Sequence, residues 1–147
     1  MDIAITFASS ALEKAQIQDL RRSVLCGELH WPREIVEDDA DGAAQLALAT
    51  LGAKPVATGR LIEREGCFYL ELVAVLQRFR ALGIGRSLVE AIEARARQAG
   101  ATRLRVLAPD SARDYFGKLG YLPLGSAASA LEKSLTLSDG EAGTKAL

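Results

Sequence analysis

Histidine and cysteine are scarce in this sequence. His30 is the only histidine, and Cys26 and Cys67 stand far apart with no C-x-x-C spacing. A zinc site of the usual Cys/His kind is thereby excluded, and no metal is expected. Unpaired cysteines fit a reducing, cytoplasmic setting. Neither has a neighbour in sequence that would lower a thiol pKa, so both read as small buried hydrophobes. No apolar run approaches the length of a membrane span. Met1-Asp2-Ile3-Ala4 lacks a basic stretch followed by an apolar one, so no secretory leader is expected. A formal net charge of −1 gives the chain no overall pull toward nucleic acid or a membrane, and any anion site must be local. At 147 residues the chain suits one domain, 1–147, able to bury a core without metal or disulfide.

Residues 3–7 read as a strand. Ser10 followed by Glu13 makes a capping box that starts a helix, with Ile17, Leu20 and Val24 on one face and an end expected near Cys26-Gly27. The stretch from Trp31-Pro32 to Asp41-Gly42 is acidic and reads as irregular, with His30 and Trp31 as packing or loop residues. Residues 45–50 and 55–63 read as a hairpin about Gly52, and a third strand covers 67–76. Ile84, Leu88, Ile92 and Ala96 fall on one helical stripe that Gly100 closes. Residues 102–107 alternate as a strand does. Pro109-Asp110-Ser111 opens a short helix that Gly120 ends. A last strand is expected at 130–137, then a polar tail that frays. Arg95, Arg97, Arg103 and Arg105 read as solvated faces. The order is α+β, with a mixed, mostly antiparallel central sheet flanked by helices.

The segment 71–100 carries the chemistry. An apolar strand, Leu72-Val73-Ala74-Val75, runs into Gln77-Arg78-Phe79-Arg80-Ala81-Leu82-Gly83-Ile84-Gly85, and an amphipathic helix follows. A helix N-terminus offers unpaired N–H groups to an anion, glycine lets a phosphate approach the backbone, and Arg80 and Arg86 add charged donors. A Walker loop requires Gly-Lys-Ser/Thr, which Ile84-Gly85-Arg86 is not. A dinucleotide fingerprint requires a third glycine where Leu88 stands.

Val73-Ala74-Val75-x-x-x-Phe79-Arg80-x-x-Gly83-x-Gly85 resembles motif A of the GNAT acetyltransferases, Arg/Gln-x-x-Gly-x-Gly/Ala. Ala112-x-x-Tyr115-Phe116-Gly117-Lys118-Leu119-Gly120-Tyr121 resembles their motif B, Ala-x-x-Phe-Tyr-x-Lys-Leu-Gly-Phe. The likeness covers residues 45–125. Residues 21–41 are similar to the ElaA-like branch and share part of the pattern of acyl-homoserine-lactone synthases, which are longer and usually lack the Gly-x-Gly turn. The resemblance implies a GNAT fold and acetyl-CoA, or another acyl-CoA, as co-substrate. The pantetheine arm would pair with the strand at Val73 and Val75. The pyrophosphate would lie on the amides of Arg80, Ala81, Leu82, Gly83, Ile84 and Gly85, with Arg86 beside it. A backbone amide near Val75 would receive the acyl carbonyl.

The resemblance further implies acyl transfer to a small-molecule or protein amine by direct attack in a ternary complex, with no nucleic-acid or membrane partner. Many members dimerise, so a homodimer is in view. Glu71 is the expected base, read with the parity of Val73 and Val75; otherwise it is a solvent-facing strand residue. The usual acid is a tyrosine at the position of Phe116. Tyr115, about 100° away around a helix, takes the role or lines the groove. Glu28, Asp38 and Asp39, with Glu37 and Asp41, either draw a cationic amine or form a solvated loop. Two rival functions stand beside transfer: a non-catalytic acyl-CoA-binding module, and acyl-homoserine-lactone-type synthesis.

Overall fold

The computed structural model describes residues 2–125 and 129–136. The strands are β1 (Ile3–Phe7), β2 (Gln45–Leu51), β3 (Lys54–Arg64), β4 (Cys67–Val75), β5 (Arg103–Leu107), β6 (Leu122–Pro123) and β7 (Ala130–Ser134). They form one sheet in the order β1-β2-β3-β4-β5-β7-β6. Every neighbouring pair is antiparallel except β4 and β5, which run parallel. A parallel pair needs a crossover, and α3 (Ile84–Gln98) supplies it. The fold is α+β with a mixed, mostly antiparallel sheet, as expected.

Alternation along the strands assigns the two faces. On the back, Ala47, Ala49, Leu70, Leu104, Val106 and Leu131 pack with Leu88, Ile92 and Ala96 of α3 and Phe116 of α4 (Asp110–Lys118). On the front, Leu46 and Leu48 meet Ile17 and Leu20 of α1 (Ala11–Arg21). Leu72 and Ala74 meet Val24, Leu25 and, from α2 (Arg33–Val36), Val36. The capping box at Ser10 is formed in both directions.

The first helix ends at Glu28, close to the expected Cys26-Gly27, and its last segment, Arg22–Glu28, is π-helical, with the Leu29 N–H reaching the Val24 carbonyl at 3.0 Å. Two local readings need correction. Cys26 and Cys67 are half-buried, not buried. Arg95 lies over the Phe7 ring at 4.0 Å and Arg97 donates to the Leu135 carbonyl at 2.8 Å, so neither is merely solvated. The expected strand end at 137 and the tail lie outside the described residues.

Candidate active site

β4 carries a bulge. The register runs Thr58↔Ala74 and then Arg60↔Glu71, so Leu72 and Val73 together oppose Gly59. Leu72 takes a left-handed φ of +51° to do this, and the extra residue bends the strand. Gly59 leaves room for α3: a β carbon on it would stand 2.8 Å from Ile92 Cδ1, which would have to shift. The bulge also changes parity. Val73 and Val75 pack on the back cluster, whereas Leu72 and Ala74 face the front. Glu71 pairs across the sheet with Arg60 and faces the front too. The shared parity of Glu71 with Val73 and Val75 is therefore wrong.

β4 and β5 then part company. They pair at Tyr69↔Arg105 and Leu70↔Val106 only, and β4 continues to Val75 along an open edge. The Leu76 N–H bonds to the Val56 carbonyl at 2.9 Å. By antiparallel alternation, the amide and carbonyl of Val75 therefore point away from β3, into the opening.

Beyond β4 the chain turns through Ala81 (φ +66°) and Gly83 (φ +82°) into α3. Gly83 is the N-cap and no side chain caps the helix. Its first backbone bond is Ser87 N–H to the Gly83 carbonyl, 3.0 Å. Among the described residues the amides of Ala81, Leu82, Gly83, Ile84, Gly85 and Arg86 find no backbone acceptor. Successive free amides at a helix N-terminus form a cradle for a phosphate. The Arg80 amide bonds to the Gln77 carbonyl at 3.3 Å, and its side chain is not a spare phosphate donor. Its Nε donates to the Val75 carbonyl at 3.0 Å, and Nη1 and Nη2 each donate to Glu28 at 2.6 Å. Arg80 is a strut from the π-helical segment to the turn.

Tyr115 closes the turn from the α4 side. A β carbon on Gly85 would stand 2.3 Å from the Tyr115 hydroxyl and 3.6 Å from Val75 Cγ2, so the hydroxyl lies over the start of α3 next to the open edge of β4. The ring is 41% exposed. Burial pushes its pKa up, against a smaller opposing pull from Arg86, so it is protonated at neutral pH. Phe116 points into the back core instead, edge-on to Tyr115 at 5.2 Å and to Tyr121 at 5.7 Å.

The acidic run is spent internally. Asp38 takes Arg60 Nη1 and Nη2 at 2.7 and 2.8 Å, and Asp41 takes Arg21 at 2.7 and 3.2 Å and Arg60 at 3.1 Å. Arg21 and Arg60 are 1% and 2% exposed. Glu37 holds Arg22 and Arg33, and Glu28 holds Arg80. The Asp38 carboxyl is held down at about 2 by its hydrogen bonds from Arg60. Glu28 and Asp38 are thus ion-pair partners, not free ligands for an amine. Asp39 is exposed and shows no such bond among the described residues.

Glu71 accepts from Arg60 at 2.7 Å and from Arg64. Burial raises its pKa, but the bonds from Arg64 and Arg60 outweigh that and hold it below the ordinary carboxylate range. Two arginines thus hold the expected base, and a carboxylate so paired takes a proton less readily than a free one. The residue missed in sequence is Arg60, a cation in the buried middle of β3 between Ala57 and Leu61. That break in the pattern was the available signal.

The chain belongs to the Acetyltransferase (GNAT) family, whose model matches residues 12–121. It is a GNAT-type N-acetyltransferase, of a family that carries out acetyl-CoA-dependent acyl transfer. Among its relatives is the uncharacterized N-acetyltransferase YjcF of Bacillus subtilis (strain 168), 29% identical over 114 residues, which are 76% of this chain and 81% of that protein. Escherichia coli ElaA has the same fold at a TM-score of 0.75 and 15% identity, over 90% of this chain and 100% of that one. So has the PaiA N-acetyltransferase of Thermoplasma acidophilum, solved with coenzyme A, at 0.74 and 13% over 91% and 99%. No helix among the described residues is long and apolar enough to cross a membrane.

Proposed function

We propose that the chain acts as one cytoplasmic acyl-CoA-binding domain that moves an acetyl group from acetyl-CoA to an amine by direct attack in a ternary complex. The observation that carries this is the run of six amides from Ala81 to Arg86 that find no backbone acceptor among the described residues, next to the β4 edge beyond Leu70. The pyrophosphate rests on those amides, with Arg86 beside it, and the pantetheine arm lies along Val73 and Val75. The co-substrate supplies an activated thioester. The outward amide of Val75 polarises its carbonyl. The amine nitrogen bonds to the acyl carbon, the carbon–sulfur bond breaks, Tyr115 gives its proton to the departing thiolate, and the surplus proton of the acylated nitrogen passes to solvent, which reprotonates Tyr115. The pairing of Glu71 argues that it orders Arg60 and Arg64 and takes no proton. The amine therefore enters neutral, and the rate rises with pH as its unprotonated fraction grows.

Purified protein incubated with acetyl-CoA, a panel of amines and a free-thiol reagent tests this reading. Amine-dependent thiol release is the expected result. Tight acetyl-CoA binding with no release for any amine would favour the non-catalytic module.

A further inference from the structure

We infer that the acceptor amine carries a carboxylate or similar anionic group, read by Arg64 and Arg105 on either side of Tyr69. This rests on the transferase reading above and names its acceptor class. The amide cradle opens α3, on the back of the sheet, so the co-substrate comes to the β4–β5 opening from that side. The amine must then approach from the front, past the branch point at Leu70 and Val106. Cross-strand register defines what it meets there. Ile62, Tyr69, Arg105, Glu132 and Leu122 form one transverse front row. Arg64 and Cys67 lie one step below, and Leu107 lies one step above.

Among the described residues, no helix covers this part of the front face. Leu107 and Leu122 are 58% and 69% exposed. Arg64 Cζ lies 5.7 Å from the Tyr69 ring centre. Arg105 stands opposite Tyr69 across the strands. Each arginine spends only part of its fork on protein carboxylates: Arg64 gives Nη1 to Glu71, and Arg105 gives Nε to Glu132 at 2.8 Å. Among the described residues the other N–H groups of these forks have no carboxylate partner and can take a second one, a geometry suited to guanidinium. Arg103, 3.9 Å from Glu132, adds a third cation. The acidic run that would favour a polycation is cancelled by its own arginines. Three arginines against two carboxylates leave this face favouring an anion.

The test uses amino carboxylates, the same compounds as carboxamides, and spermidine as a cationic control. Calorimetry against protein saturated with CoA reads binding without turnover, and thiol release with acetyl-CoA reads rate. The carboxylate member of each pair should bind, and react, roughly 10- to 100-fold better, the value of a charge-assisted bond. Arg64→Gln and Arg105→Gln should erase that preference: the KM for carboxylates should rise at least about tenfold more than the KM for the matching carboxamides, with the KM for acetyl-CoA as the internal reference. Equal or better binding of carboxamides or spermidine, no measurable binding of any amino carboxylate, or an equal loss for all acceptors in both variants overturns the inference. An Arg105→Gln change in sedimentation without a change in KM gives the face to a second copy and also overturns it. Failure of CoA itself to bind would instead strike the transferase reading.

Discussion

The Tyr115 hydroxyl rests on the Cα of Gly85, so close that a β carbon there would stand 2.3 Å from the oxygen. Gly85 is thus small for a reason distinct from that of Gly83. Gly83 serves its left-handed φ and has open space around it; Gly85 makes room for a side chain from another helix.

Gly85→Ala should therefore push Tyr115 off the turn and slow transfer. Tyr115→Phe removes the oxygen and should cost roughly 10- to 1000-fold in kcat if the hydroxyl is the acid. The two losses should not add, because both act on one contact. A double-mutant cycle in kcat measures this; fully additive losses would separate the two residues.

Phe116 is 6% exposed and enclosed by core side chains. Phe116→Tyr would bury a hydroxyl among apolar neighbours at a cost of about 1–3 kcal/mol. Thermal unfolding should show a lower Tm, and the rate with any acceptor should not rise. A faster enzyme would return the acid's role to this position.

Arg60 neutralises Asp38, Asp41 and Glu71 from a buried site. Arg60→Met strands those carboxylates and should cost about 3–5 kcal/mol, read by urea unfolding. Asp38 is lowered from 3.8 to about 2 in the fold, and Asp41 and Glu71 are lowered too. The folded state then binds fewer protons than the unfolded one, so this stabilisation is present above about pH 4 and is lost as pH falls toward about 2. In Arg60→Lys, which keeps the charge but not the fork, the acid-induced loss should be smaller. An identical pH dependence in wild type and variant would show that the network does not set acid stability.

The fold was legible where local chemistry decides it. The Ser10–Glu13 box, the hairpin about Gly52 and the stripe from Ile84 to Ala96 each follow from residue spacing. So does the turn, whose two glycines and uncapped helix start stand together in sequence. The orientation of Glu71 was not legible, because a period-two count does not include the residue bulged out at Leu72. The fate of the acidic run was hidden for another reason. Its partners, Arg21 and Arg60, lie about twenty positions away on opposite sides, and only folding brings them together. Tyr115 was singled out by its offset from the motif, but its seat on Gly85 depends on how α4 meets α3.

Calorimetric titration of acetyl-CoA tests the central claim most directly. Wild type should bind it at one site per chain. Gly83→Val forces a β-branched residue into the left-handed φ of +82°, which distorts the amide cradle, and should weaken binding about tenfold or more. Absence of acetyl-CoA binding by the wild-type protein, or equal affinity in the Gly83→Val variant, would contradict the account.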